Sequence, residues 1–363
     1  MTEAASAFDS ILLVSFGGPE GMDDVLPFLE NVLRGKNVPH ERMLEVAEHY
    51  RQFDGVSPIN DQNRALIAAL RAELDQRGIA LPIYWGNRNW RPLLSDTLRH
   101  MRDDGRQRTV AFFTSMFSSY SGCRQYREDI LKAQRDVGQG APSVEKVRMG
   151  FNHPKFIAAQ AERVEGGLRT VPADRRSAAK LLFSAHSIPM SMADNCNYAL
   201  QLSEACRLVA EAVGHEDWEL VYQSRSGPPQ QAWLEPDICD RIEELAGEST
   251  AEASGPAVRD VVIAPLGFIS DHIEVLYDLD TEAKQLCAKL GMGFVRVPSV
   301  GVHPLFISMI ADLLQERIEA LETRPSVGSL GPSHDVCPID CCLYPRSGSS
   351  GRPAVTDPTK TCP

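Results

Sequence analysis

Residues 181–189 read LLFSAHSIP, and the texture of that stretch decides the fold. It opens as an unbroken apolar run and ends in small residues, a histidine and a proline-closed turn. A strand wetted on one face alternates polar and apolar residues, whereas one covered on both faces does not. The run is therefore a strand buried on both sides, Lys180–Ala185, with His186 at its carboxyl end. Seven further runs share this texture: Ile11–Phe16, Pro82–Trp85, Thr109–Met116, Val144–Met149, Glu219–Gln223, Asp260–Phe268 and Gly293–Val297. Between them lie segments of helical period. Asn60–Arg77 sets Leu66, Leu70 and Leu74 four apart with Arg and Glu on other faces, and Asp194–Val213 and His303–Leu321 read similarly. Strand and helix in alternation give an α/β class with doubly wound parallel sheets. A break near Gly150–Pro154 divides the strands four and four. The expectation is two open-sheet domains, 1–150 and 151–302, around a cleft lined by strand carboxyl ends, where such sheets place ligands. A helix over about 303–322 is available to pack back on the first domain. The stretch PSVGSLGPSHDV (325–336) reads as a linker, and 325–363 as a linker with a cysteine-bearing tail.

Composition agrees with this size and class. The chain has 363 residues, enough for about two domains. Apolar residues make up 43%, too many for a disordered chain. With 49 acidic against 37 basic residues, the net charge of −12 makes it a poor general ligand for nucleic acid or anionic membrane. No apolar run reaches the ~18 residues of a membrane span. The start MTEAASAFDS lacks the basic and apolar regions of a signal peptide. The expectation is a cytoplasmic protein without stable membrane insertion, a monomer or weak homodimer. Nine cysteines, an odd count, argue against a disulfide framework. Three of them crowd together as Cys337-x-x-x-Cys341-Cys342, which points to metal or redox chemistry.

Several strand ends carry chemistry. A neutral imidazole at His186 can take a proton or bind a divalent cation near pH 7, and it serves equally as a structural group bonded to a carbonyl. In SDHIEVLYDLDTE (270–282), a helix capped by Ser270 or Asp271 puts Glu274, Asp278 and Glu282 at i, i+4 and i+8. Like charges so spaced cost a helix a few tenths of a kcal/mol per pair. A cation or a proton lane compensates, and a plain solvated acidic face is the alternative. The turn SFGGPEG (15–21) lacks the pattern of a nucleotide loop, so it is either a tight turn or a close-approach site for a flat ligand. HYRQFDGVSPIN (49–60), with Ser57 or Asn60 as a cap, and WGNRNW (85–90) combine aromatic faces with guanidinium, which suits a flat anionic ligand.

Together, LLVSFGGPEG (12–21), YRQFDGVSPIN (50–60), LLFSAHSIP (181–189), YQSRSGPPQQAWLEPDI (222–238) and IAPLGFISDHIEVLYDLD (263–280) resemble the ferrochelatase family, from about residue 10 to 322. The resemblance implies two Rossmann-like domains and insertion of Fe²⁺ into a porphyrin, with no nucleotide. It makes His186 the imidazole that accepts a proton or escorts iron, Glu274 its acidic partner across the cleft, and Asp278 and Glu282 an acidic lane toward solvent. It places Ser57, Tyr126 and Phe16 against the porphyrin, whose four propionates need local cations, with Arg51, Arg88 and Arg124 as candidates. SYSGCRQYREDI (119–130) and GNRNW are most similar to the bacterial branch that works on coproporphyrin III. Phe16 stands where that branch often carries Tyr and offers no oxygen to iron. A protoporphyrin IX enzyme is the alternative within the family. A cobalt or nickel chelatase for a sirohydrochlorin-like ring fits SDHIEVLYDLD poorly. From another class, a non-catalytic haem- or iron-responsive binding protein predicts tight porphyrin binding without turnover.

The tail is similar to the subset of the family with a [2Fe–2S] cluster. Cys337, Cys341 and Cys342 are three implied ligands, Cys123 is the preferred fourth and Cys362 the runner-up. Free thiols or zinc are the alternatives. Cys196, Cys206, Cys239 and Cys287 read as small buried hydrophobes, and His153 as a residue that orders the domain junction.

Overall fold

The computed structural model describes residues 8–35, 38–227, 230–248 and 258–345. Eight strands form two four-stranded parallel sheets. The first holds β1 (Ser10–Ser15), β2 (Ile83–Asn87), β3 (Arg108–Phe113) and β4 (Ser143–Lys146) in the order β2-β1-β3-β4. The second holds β5 (Lys180–His186), β6 (Trp218–Gln223), β7 (Asp260–Ala264) and β8 (Gly293–Arg296) in the order β6-β5-β7-β8. The two orders are the same, so the halves repeat one topology. Central strands β1 and β7 are buried along their whole length, which is why they read as continuous apolar runs. Several strands end earlier than the apolar runs do, because the carboxyl ends turn into loops: β7 stops at Ala264, before Pro265.

The repeat extends to one detail of sequence. After the last strand of each half, a His-Pro pair starts a helix, Pro154–Thr170 and Pro304–Ile318. His153 Nδ1 accepts the Lys155 N–H (3.2 Å), and His303 Nδ1 accepts the Leu305 N–H (3.3 Å). Each ring thus satisfies one orphan donor of a helix start, while proline occupies the first turn, where no N–H is needed. The Pro304–Ile318 helix packs on the Ile59–Gln76 helix, on β3 and on Pro154–Thr170. Phe306 lies edge-on to Phe112 of β3 and tilted against Phe156, so one continuous core joins the halves.

Residues 325–345 have no regular structure but are held as a strap. Arg148 donates to Pro325 O (2.9 Å) and pairs with buried Glu316. Asn152 O accepts the Val327 N–H, and the Asn152 side-chain amide donates to Val327 O and Gly331 O. Ser329 N–H donates to Glu204 in the second half (2.6 Å), and Arg124 of the first half donates to Ile339 O and Cys341 O. Cys362 lies outside the described residues. Among the described residues, no helix is long and apolar enough to cross a membrane.

Candidate active site and cysteine nest

Loops leaving the carboxyl ends of each sheet meet helices of the other half. Ser118 N–H after β3 donates to Gln201 (2.7 Å), and Asp271 N–H after β7 donates to Gln62 (2.8 Å). His49 of the first half stacks on Tyr277 of the second, centroids 3.7 Å apart. His186 ends β5 with its backbone clamped. Ser187 N–H donates to Gln223 O (2.8 Å), and the Tyr198 hydroxyl donates to His186 O (3.0 Å). Gly267 packs so closely beneath this end that a Cβ there would sit 2.6 Å from that of Ala185. The His186 Nδ1–H donates to Ser187 O (2.5 Å), which leaves the Nε2 lone pair free. That Nε2 lies 3.6 Å from Glu274 Oε2. The gap is too long for a hydrogen bond. It accommodates a divalent cation bound at about 2.1 Å from each atom. The two side chains are 36% and 51% exposed, so a reactant can reach them. Both issue from the second half, rather than one from each side of the cleft.

The helix bearing Glu274 begins with an imidazole cap: His272 Nδ1 accepts the Val275 N–H (3.4 Å). Neither Ser270 nor Asp271 caps it. Asp271 is drawn aside to Arg296 (2.7 Å). Burial pushes the His272 pKa down, which keeps this ring neutral. From Leu276 to Ala283 the helix widens into i→i+5 turns, a geometry frequent at functional sites. An α-helix carries residue i+4 about 40° past residue i, and the wider turn reduces that drift. Asp278 and Glu282 lie in this segment. Asp278 Oδ2 accepts from Gln223 Nε2 (3.1 Å) and from Ser224 Oγ. Burial, reinforced by the Glu274 charge, raises the Asp278 carboxyl from 3.8 to about 7. Burial also raises Glu282, with Asp237 adding to it. Asp237 was missed in the sequence. Its signal was Pro-Asp-Ile ahead of a helix, a cap position, and its Oδ1 accepts the Cys239 N–H (2.8 Å).

The residues assigned to the porphyrin fare differently. Phe16 is 36% exposed just beyond β1, edge-on to Phe28. Gly17 beside it has φ +81° and touches Asn87, so the turn demands glycine there. Ser57 is buried beneath Gly18. Tyr126 is buried, with Phe113 stacked on its ring and the Arg88 guanidinium 4.5 Å from its centre. Arg88 itself is buried and paired with Asp129 (2.6 Å). Arg124 is committed to Glu128 and the strap. Arg51 is exposed and paired with Glu48. Neither Ser57 nor Asn60 caps the following helix. Asn60 instead donates to Gly18 O (3.1 Å) and steadies the turn after β1.

The cysteines named in the sequence converge. Cys123 sits on a second i→i+5 turn, Tyr120–Arg124, and is buried with Met149 and Cys337. Cys123 packs against Cys337 with Cys341 beside them, while the Cys341 and Cys342 sulfurs are 3.5 Å apart. Hydrogen bonds from Cys123 and Cys341 push the Cys337 thiol down, and Lys146 and Arg127 favour its thiolate as well. His334 was also missed. Its ring nitrogen lies within 4.8 Å of the Cys337 and Cys341 sulfurs, and its signal was the spacing His-x-x-Cys.

The twice-repeated α/β fold itself is shared with solved structures of little sequence similarity. Bacillus subtilis SirB with Fe³⁺ is similar in fold, with a TM-score of 0.51 at 12% identity over 85% of this chain and 95% of that one. Sequence narrows the choice. A family model described as Ferrochelatase matches residues 9–318. A Rhodopirellula baltica protein named Ferrochelatase is 62% identical over 95% of this chain and 97% of its own. A Streptomyces coelicolor protein named Coproporphyrin III ferrochelatase is 48% identical over 96% and 97%. With a match over most of its length and relatives this close, the chain belongs to the ferrochelatase family.

Proposed function

We propose that the protein inserts Fe²⁺ into coproporphyrin III, as a cytoplasmic enzyme of haem biosynthesis. The carrying observation is the free Nε2 of His186 held 3.6 Å from Glu274 at the end of β5. Metallation removes two pyrrole protons as the cation enters. His186 accepts one through Nε2, and Glu274, which holds the cation before transfer, accepts the other once the cation has passed into the ring. A carboxyl at about 7, such as Asp278, takes and releases a proton near neutral pH with little driving force either way. Glu282 and Asp237 continue that lane. Nitrogen and carboxylate donors suit Fe²⁺. The exposed Phe16 ring offers a flat apolar face to the macrocycle. Bending the ring toward the product geometry exposes its lone pairs, so binding energy spent on that distortion speeds the insertion. The choice of coproporphyrin III is supported by the Streptomyces coelicolor relative named for it. The test is a side-by-side anaerobic rate comparison, following loss of porphyrin fluorescence. Faster insertion into coproporphyrin III than into protoporphyrin IX supports the proposal, and the reverse order overturns it.

We further propose that Cys123, Cys337, Cys341 and Cys342 hold a [2Fe–2S] cluster. Cys123 and Cys337 packed together with Cys341 against them, Cys342 3.5 Å from Cys341, and Lys146 and Arg127 nearby to offset thiolate charge suit that donor set. When bound, the cluster supplies a one-electron centre. The protein's own residues fasten the nest to the first half: Arg124 grips two strap carbonyls, and Lys146 Nζ reaches His334 O (3.5 Å).

A further inference from the structure

We propose that the strap carries a separate site for one borderline divalent cation, of the Zn²⁺ or Fe²⁺ class, formed by His334, Cys337 and Cys341. The inference concerns the protein without its cluster and rests on the cysteine nest described above. The three ligand atoms all lie within 4.8 Å of one another. Ligands of a tetrahedral zinc ion, at about 2.0–2.3 Å from the metal, stand roughly 3.5–3.8 Å apart. The triad therefore closes on a single ion with a small contraction. A two-iron cluster instead distributes four cysteines over two metals.

The donor set and its placement support this reading. One neutral imidazole and two thiolates balance a doubly charged cation, and this mixed nitrogen and sulfur set disfavours magnesium and calcium. All three donors lie on one short stretch, His334-x-x-Cys337-x-x-x-Cys341. The site can therefore assemble from the strap alone. The cluster, by contrast, needs Cys123 from the Tyr120–Arg124 turn of the first half. Cys337 is buried, Cys341 partly so, and His334 is exposed. An ion thus has an entry side. Cys337 and Cys341 serve both sites, so the ion and the cluster exclude one another.

The test uses the full chain, stripped of metal by an anaerobic chelator and titrated with Co²⁺. Absorption from sulfur-to-cobalt charge transfer separates the strap from His186 and Glu274, which offer no sulfur, and the two variants below separate the triad from the other cysteines of the nest. The proposal expects one such Co²⁺ per chain, displaced by Zn²⁺. His334→Ala should weaken that binding at least about tenfold, while chain isolated with its cluster keeps its visible spectrum in this variant. Cys123→Ser should lose the cluster spectrum and keep the Co²⁺ signal. His334→Ala titrating like the wild type, or Cys123→Ser losing the charge-transfer band, overturns the site. Cys123→Ser with its cluster spectrum intact overturns the cluster ligand set instead, so the two failures are distinguishable.

Discussion

Replacing Asp278 with Asn should stabilise the protein by an amount that depends on pH. Burial holds this carboxyl at about 7, against an ordinary value of 3.8, despite hydrogen bonds from Ser224 and Gln223 that favour its charge. In the unfolded chain it ionises above 3.8, whereas in the folded protein it keeps its proton until about 7. Across that window the folded state binds more protons than the unfolded one. Its stabilising contribution is complete below 3.8 and is lost as pH rises through 7. At about 1.4 kcal/mol per pH unit, the accumulated loss is about 4 kcal/mol above pH 7. The amide has the same shape, keeps an oxygen to accept from Ser224, and never ionises. Wild type and D278N should thus be nearly equal in stability at pH 4 and differ by up to about 4 kcal/mol at pH 8. Urea unfolding at the two pH values measures the gap. A gap independent of pH, or a variant less stable than wild type at pH 8, refutes the assignment of a buried, proton-holding Asp278. The same variant should insert iron more slowly, since stability at an active site is often gained at the expense of activity.

Gly267→Ala drives a Cβ to 2.6 Å from that of Ala185; it should cost about 1–3 kcal/mol and lower the insertion rate by shifting His186, read by thermal unfolding and turnover. Glu204→Gln weakens the charge-assisted bonds to Ser329. It should loosen the strap by about 1 kcal/mol, so limited proteolysis within 325–345 accelerates while the global urea midpoint hardly moves. Cys341→Ser should bleach the visible absorption of the isolated protein, and an unchanged spectrum removes the cluster.

Much of the fold was legible because parallel strands are buried on both faces, and continuous apolar runs such as Ile11–Phe16 announce that. Two similar four-stranded halves were legible from the count of runs on either side of 150–154, but the shared strand order was not, since it is set by tertiary pairing. Acidic spacing at 274, 278 and 282 was visible as a helix ridge, but nothing in the sequence marks the wider turn through 276–283. Caps were misjudged where tertiary partners took the capping residue: Arg296 claims Asp271, so His272 caps instead. The charge on Arg88 was legible, but its neutralisation by Asp129 was not, because that pairing is set by how the loop after β2 meets the Gln125–Val137 helix. The strap looked like a linker because its bonds are made by Arg124, Arg148, Asn152 and Glu204, residues distant in the chain.

The account rests on His186 as the group that exchanges protons for iron. The most direct measurement is anaerobic Fe²⁺ insertion into coproporphyrin III by His186→Ala, with porphyrin affinity measured in parallel. Binding should stay within a few-fold of the wild type while insertion falls by at least about a hundredfold. Turnover near the wild-type rate in a variant that still binds porphyrin would contradict the account.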